Sequence, residues 1–223
     1  VPDWTVAGGG QNWLGSQVST AGDVHGDGYH DIMVGAPVYG NGESFEGAVY
    51  VYLGSPGGIS VNPQIVLESN ATNAGFGGSI DAAGDVNGDG FDDILIGASR
   101  YTDGESNEGR LYLFAGSAEG ISPVPAWTFE SDVASASLGI RVAGTGDVNG
   151  DGFADVIASA SELANGEGLE GRVYLFLGSA AGLSSQPDWL YESNLVGGRA
   201  GWGLGLAGDI NGDGYSDVAF DVG

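Results

Sequence analysis

The sequence contains no cysteine and no lysine, and its five basic residues are all arginines. Without cysteine there can be no disulfide framework and no thiolate metal site, although calcium can replace disulfides as a staple, so the compartment stays open. Five basic residues against 30 acidic ones leave a net charge of −25. Such a field repels nucleic acid, whose phosphates need clustered Lys and Arg, and it disfavours anionic membrane surfaces. No stretch approaches the apolar length of a transmembrane helix, so membrane insertion is not expected. Val1 opens directly on repeat-like sequence without the apolar segment of a secretion signal, so an extracellular setting requires a signal that has been removed. The absence of lysine and the excess of acid would also suit a salt-rich habitat.

What is abundant is glycine, 44 residues of 223. Scattered glycine would indicate low complexity, but here it falls at fixed positions within a repeat, which implies many tight turns. The repeated phrase is GDVHGDGYHDIMVGAP from Gly22, GDVNGDGFDDILIGAS from Gly84, GDVNGDGFADVIASAS from Gly146 and GDINGDGYSDVAFDVG from Gly208. Successive copies are 62 residues apart. A constant period of this size marks stacked or radial units that cannot bury their apolar faces alone.

Each period reads as four short strands separated by turn signals. In the second unit these are FGGSIDAA from Phe76, DDILIGAS from Asp92, RLYLFAG from Arg110 and AWTFES from Ala126. The third strands AVYVYLG, RLYLFAG and RVYLFLG are apolar almost throughout, as a sheet covered on both faces requires. The expected fold is therefore all-β, a β-propeller of four-stranded antiparallel blades, with a β-solenoid as second choice. The expected units are a closing strand in residues 1–13, blades at 14–75, 76–137 and 138–199, and a partial blade at 200–223. On this reading the N-terminal strand DWTVAG forms the outermost strand of the last blade, so that the termini share it. The alternatives are a fragment of a larger ring, or a protomer whose open edges pair with another copy.

The repeated phrase carries its chemistry at alternate residues. Asp85, Asn87, Asp89 and Asp93 offer side-chain oxygens and Phe91 a backbone carbonyl, the kind of hard-oxygen set that calcium takes. The matching sets are Asp147, Asn149, Asp151, Phe153, Asp155 and Asp209, Asn211, Asp213, Tyr215, Asp217, with Asp23, His25, Asp27, Tyr29, Asp31 as the first. An EF-hand would need glutamate at the twelfth position and flanking helices, but Val34, Ile96, Ala158 and Phe220 stand there and a strand follows. Ordinary Asx turns are the plainer reading of one such segment; four copies in register favour about four calcium sites, one per repeat. Four divalent ions would offset only part of the acidity. His25 departs from the pattern, because neutral imidazole is a poor calcium ligand. Either the first site is weaker or uses water there, or His25 points outward.

With these residues the sequence resembles the FG-GAP repeat family, the propeller repeats of the integrin alpha-subunit head and of secreted bacterial proteins. The FG element is Phe76-Gly77, with Leu14-Gly15, Leu138-Gly139 and Ala200-Gly201 as weaker forms. The GAP element is Gly35-Ala36-Pro37, degrading to Gly97-Ala98-Ser99 and Ser159-Ala160-Ser161. The resemblance implies calcium loops that stiffen one face while ligands meet the other, and a ring of seven blades, more than this chain supplies.

The opposite face would be built from the loops between strands two and three and between blades, which carry Trp13, Tyr39, Arg100, Tyr101 and Arg199. Aromatic and arginine side chains are the types that anchor interfaces, though packing between blades is the plainer role for each. Glu43 and Glu46, Glu105 and Glu108, and Glu167 and Glu170 recur at matched positions, which points to architecture rather than acid-base work. Asn70-Ala71-Thr72 is a glycosylation sequon if the source is eukaryotic and secretory. The expected function is non-enzymatic: an extracellular or cell-surface calcium-binding module for adhesion, surface or matrix assembly, or protein or carbohydrate binding. Homo-oligomerisation or membership of a larger propeller assembly is expected, and the competing reading is an accessory or catalytic propeller of a secreted hydrolase or lyase.

Overall fold

The computed structural model describes residues 4–7 and 12–223. Among them are fourteen strands and no helix. Blade 1 comprises β1 (Gln17–Gly22), β2 (Asp31–Ala36), β3 (Ala48–Tyr52) and β4 (Ile65–Glu68). Blade 2 comprises β5 (Ser79–Gly84), β6 (Asp93–Ala98), β7 (Arg110–Phe114) and β8 (Trp127–Glu130). Blade 3 comprises β9 (Arg141–Gly146), β10 (Asp155–Ala160), β11 (Arg172–Phe176) and β12 (Trp189–Glu192), and a two-stranded sheet follows, β13 (Leu204–Gly208) and β14 (Asp217–Phe220). Each sheet is antiparallel with its strands in sequence order, so each is a meander. The fold is a β-propeller with an incomplete ring.

Side chains alternate across a strand, and here both faces are claimed by neighbours. On β6, Ile94, Ile96 and Ala98 enter a core shared with blade 1, whereas Leu95 enters the core shared with blade 3. On β7, Tyr112 and Phe114 turn towards blade 1, and Leu111 and Leu113 towards blade 3. This is why the third strands are apolar almost throughout. Phe76, the FG phenylalanine, is fully buried and meets Tyr112 edge-on, with ring centroids 5.2 Å apart. It lies in the turn before β5, so that strand begins at Ser79 rather than at Phe76.

Blades approach closely because glycine stands where their backbones cross. A Cβ on Gly97 would lie 2.1 Å from the Gly139 carbonyl oxygen of the next blade. Every first strand also carries a bulge at its end, where Gly22, Gly84, Gly146 and Gly208 pair with Asp31, Asp93, Asp155 and Asp217. These glycines have φ of 77°, 77°, 67° and 71°, a left-handed conformation that glycine adopts without strain and that re-aims the strand into the loop.

The closing strand expected in residues 1–13 is described only in part. Residues 1–3 and 8–11 lie outside the described residues, and Trp4–Ala7 form no strand. Trp4 instead packs edge-on against Tyr52 of blade 1 at 5.2 Å, and its indole N–H donates to the Ser60 carbonyl at 2.8 Å. Trp127 makes the same pair of contacts two blades on, meeting Phe176 at 5.0 Å and donating to Ser184 at 3.0 Å. The N-terminal segment thus stands where the outer strand of a preceding blade would lie.

Replacing Phe76 by alanine is expected to cost about 3–5 kcal/mol of stability, from lost burial and the cavity left between two blades. Urea denaturation at constant calcium would measure it.

Candidate metal centre

Each β1–β2-type hairpin loop is wound around its first aspartate. In the second loop Asp85 accepts from the amides of Gly88 (2.7 Å), Asp89 (3.1 Å) and Gly90 (2.9 Å). Asp23, Asp147 and Asp209 accept the same three amides in their loops. Desolvation penalises the charged form, but the three amide donors outweigh it and hold the Asp23 and Asp147 carboxyls below the usual aspartate range. The fifth-position carboxylate then accepts the amide of the seventh residue, as Asp89 does from Phe91 at 3.1 Å.

The ninth-position aspartate closes the loop from below. Asp31, Asp93 and Asp155 are fully buried. Asp93 Oδ2 accepts from Val86 at 3.1 Å and Oδ1 from Gly116, just past β7, at 2.9 Å. Asp31 and Asp155 repeat both bonds. Asp217 keeps only the first, from Ile210 at 3.0 Å. Burial pushes Asp93 up to about 7, against those two amides, with Asp89 and Asp85 adding repulsion; Asp155 shifts the same way for the same reasons.

The third position differs between loops. Asn87 accepts the Asp89 amide at 2.8 Å and turns its NH2 to Asp89 Oδ2 at 2.9 Å, and Asn149 does the same. His25 faces inward, which removes the outward-pointing alternative. Its Nε2 lies 3.1 Å from Asp27, and its Nδ1 3.3 Å from Asp31 and 3.7 Å from Asp23. One ligand atom from each of Asp23, His25 and Asp27 falls within 4.8 Å of the others. The carbonyl-bearing residues of the seventh position also tie loops together. The Phe91 ring covers Gly26, Phe153 covers Gly88 and Tyr215 covers Gly150, each on the loop of the preceding blade, where any Cβ would collide with the ring. The chain itself is bonded across: the Asp92 amide donates to Asp23 O at 3.2 Å, and the Asp23 amide to Asp92 Oδ2 at 2.7 Å.

In loops two to four the donor set is three aspartates and one asparagine, all oxygen, around a glycine-permitted turn. That chemistry fits a hard divalent cation such as calcium. Among the described residues, the hairpin-loop group whose ligand atoms all lie within 4.8 Å is Asp23, His25 and Asp27, while in loops two to four the carboxylates are tied chiefly to backbone amides. The first loop fits less well, since the His25 ring occupies the space between its carboxylates.

The five residues considered for a partner face separate. Tyr101 is buried and its hydroxyl accepts from Arg110 at 2.7 Å, and Tyr39 meets Tyr50 edge-on at 6.1 Å, so both pack within their blades. Trp13 and Arg100 are exposed. Arg199 stacks on Trp202 at 5.4 Å, and Arg141 lies over the same ring at 5.5 Å. Sequence reasoning missed Trp202 and Arg141. Their signal was departure from the repeat, since Ile140 and Ser79 stand one period earlier.

Glu46, Glu108 and Glu170 are fully buried, and each accepts a loop amide, from Asn41, Asp103 and Asn165 respectively. Their own carbonyls accept the hydroxyls of Ser69, Ser131 and Ser193. They clasp the second loop of each blade, which is an architectural role.

In metal-free protein, Asp93 binds a proton more readily when folded than when unfolded. Its contribution to stability is therefore present below about pH 4 and lost as pH rises through about 7. Thermal melts in chelator should show this decline, and Asp93→Asn should flatten it. Loading a cation at pH 6 should release protons, read as a buffer-dependent binding enthalpy.

The family model described as FG-GAP repeat matches residues 14–52, 76–114 and 139–176. Mouse (Mus musculus) integrin alpha-IIb is 33% identical over 156 residues, 67% of this chain and 15% of that protein. Integrin alpha-4 of Xenopus laevis is 30% identical over 218 residues, 93% of this chain and 19% of that one. Integrin alpha-PS2 of Drosophila melanogaster is 33% identical over 225 residues, 93% of this chain and 15% of that protein. The chain thus spans less than a fifth of the length of these relatives. Among solved structures, the exotype rhamnogalacturonan lyase YesX superposes with a TM-score of 0.53 over 92% of this chain and 38% of that one, at 14% identity, a likeness of fold alone. Three matched repeats in register with three complete blades place this chain in the FG-GAP repeat family.

Proposed function

We propose that this chain is a calcium-stabilised propeller module that works outside the cell in adhesion or surface assembly, binding a protein or carbohydrate partner without catalysing a reaction. The observation that carries the reading is the recurrence of one oxygen-rich loop, with the same amide-wrapped aspartate, in all four units. A catalytic centre is set apart from its surroundings, whereas among the ligand-type side chains of these loops only His25 departs from the shared set. Extracellular modules hold calcium with Kd of about 0.1–1 mM, and outside cells such sites are filled. The kinship with integrin alpha chains supports the adhesive and cell-surface setting. The partner would dock away from the hairpin loops, where Trp202 lies exposed between Arg141 and Arg199.

Self-assembly is part of the same reading. Tyr29, 42% exposed, is the counterpart of Phe91, Phe153 and Tyr215, yet covers no glycine among the described residues. Gly212, the counterpart of Gly26, Gly88 and Gly150, has open space above it. A second copy stacked head to tail would bring that ring to that glycine, and bury Val18 and Ile210, which are 60% and 77% exposed.

Calorimetry on chelator-treated protein is expected to show calcium binding at several sites. Each site filled at about 100 times its Kd adds about 2.7 kcal/mol, so melting temperature should climb steeply with calcium. Absence of both heat and stabilisation would overturn the calcium role. Light scattering with calcium present should give a mass that grows with protein concentration, and Tyr29→Ala should reduce that growth. A strictly monomeric particle would overturn the self-assembly.

A further inference from the structure

Blade 2 differs from its sisters at the end of the sheet away from the hairpin loops. In blade 1 this corner holds Asn41, Glu46, Glu68 and Asn70, and in blade 3 Asn165, Glu170, Glu192 and Asn194. Blade 2 has Asp103, Glu108, Glu130 and Asp132 at the same four positions, so both carboxamides have become carboxylates. In the sister blades the asparagine NH2 groups face the outer-strand glutamate, Asn41 at 3.4 Å from Glu68 and Asn165 at 3.4 Å from Glu192. Blade 2 lacks that donor. Nor does the backbone ask for aspartate: Asn70, Asp132 and Asn194 share φ of 53°, 53° and 52°, a left-handed conformation that asparagine accepts at least as well.

The cluster has a buried anchor. Glu108 is 0% exposed, and its Oε1 accepts the Asp103 amide at 2.6 Å. Its Oε2 has no hydrogen-bond partner among the described residues. A carboxylate oxygen from each of Glu108, Glu130 and Asp132 lies within 4.8 Å of the other two. Glu46 and Glu170 also keep an unpartnered Oε2, but the third carboxylate is not beside them. An unpartnered buried carboxylate oxygen is costly, and adding two carboxylates around it raises the cost unless positive charge enters.

One arginine is present, and it meets the cluster only through Glu130. Arg110 Nε lies 3.2 Å from Glu130 Oε1. Its Nη1 donates to Tyr101 at 2.7 Å, its Nη2 to Thr128 at 3.1 Å, and the guanidinium lies over the Tyr101 and Tyr112 rings at 4.9 and 5.0 Å. Four carboxylates thus share one cation. Burial holds the Glu130 carboxyl up; Arg110 opposes this, and Glu108, Asp103 and Asp132 reinforce it.

We propose that Glu108, Glu130 and Asp132 form a further cation site, specific to blade 2, that takes a calcium-class divalent ion at the end opposite the hairpin loops. The donors are carboxylate oxygens only, which selects a hard ion, and exposed Asp132 leaves room for waters to complete six to eight ligands. Asp103 adds long-range charge without belonging to the coordinating trio. An ion there would tie the β8–β9 connection at Asp132 to fully buried Glu108, two residues before β7, stiffening one inter-blade corner.

The test is the double variant Asp103→Asn/Asp132→Asn, which installs the residues of the sister blades. Native mass spectrometry across a calcium titration is expected to show one bound ion fewer than in the parent, with the hairpin-loop ions retained. Glu130→Gln, which keeps the shape of the side chain, should lose the same ion. In chelator the double variant is expected to melt no lower than the parent, since like-charge repulsion has been removed. A terbium-soaked crystal of the parent should show an anomalous peak between Glu108, Glu130 and Asp132. Equal stoichiometry in parent and both variants, or anomalous density confined to the hairpin loops, would overturn the proposal while leaving the loop sites intact. A parent that holds the blade 2 ion but none at the hairpin loops would overturn the calcium role proposed for those loops and not this site.

Discussion

Every blade of this protein has two apolar faces and no means of covering either. The alternation on β6 and β7 sends one set of side chains to the blade before and the other to the blade after, so the hydrophobic free energy of a blade exists only in the stack. The glycines at the crossings, the FG phenylalanine and the hairpin bulges all serve that stacking. Gly97 lets the backbones of blades 2 and 3 meet, Phe76 fills the space between blades 1 and 2, and the bulge at Gly84 turns the chain out of the sheet just where it must wind into a loop. The same demand explains why the last sheet is the most exposed: nothing among the described residues covers its outer face.

The hairpin loops connect this packing to electrostatics. Their aspartates are spent twice, once on backbone amides that hold the loop's shape and once on the space a cation would fill. Asp93 shows the tension most clearly, because it is buried beneath the loop, satisfied by two amides and still short of positive charge. Carboxylates arranged in this way make shape and charge balance interdependent. Stability, pH and divalent-ion concentration are therefore coupled in one set of residues rather than distributed over the surface.

Much of this was legible in the sequence because the period is strict. Four copies of one phrase fixed the blade length, the third-strand composition announced sheets covered on both faces, and alternate oxygen donors marked the loops. What could not be read depended on which neighbour a residue meets. Trp4 lies in a segment that looks like a closing strand, but its indole is taken up by Tyr52 and Ser60 of blade 1. Tyr101 had the composition of an interface residue and is consumed by Arg110. His25 gave no sign of its direction, which is set by three carboxylates that reach it only after the loop has folded. The asymmetric corner of blade 2 was visible as two Asn-to-Asp changes, yet only the burial of Glu108 gave them meaning.

The ring of one loop lying over the glycine of the loop before it has a genealogical consequence. Because each seat joins the same two positions of consecutive units, a gene segment encoding 62 residues can be duplicated or removed with every remaining contact reproduced. A shift by any other length would part each aromatic from its glycine and each amide from its carbonyl. The unit of inheritance in such a protein is thus set by a stacking contact between neighbours, and the boundaries of a blade in space need not be the boundaries at which its lineage was cut and copied.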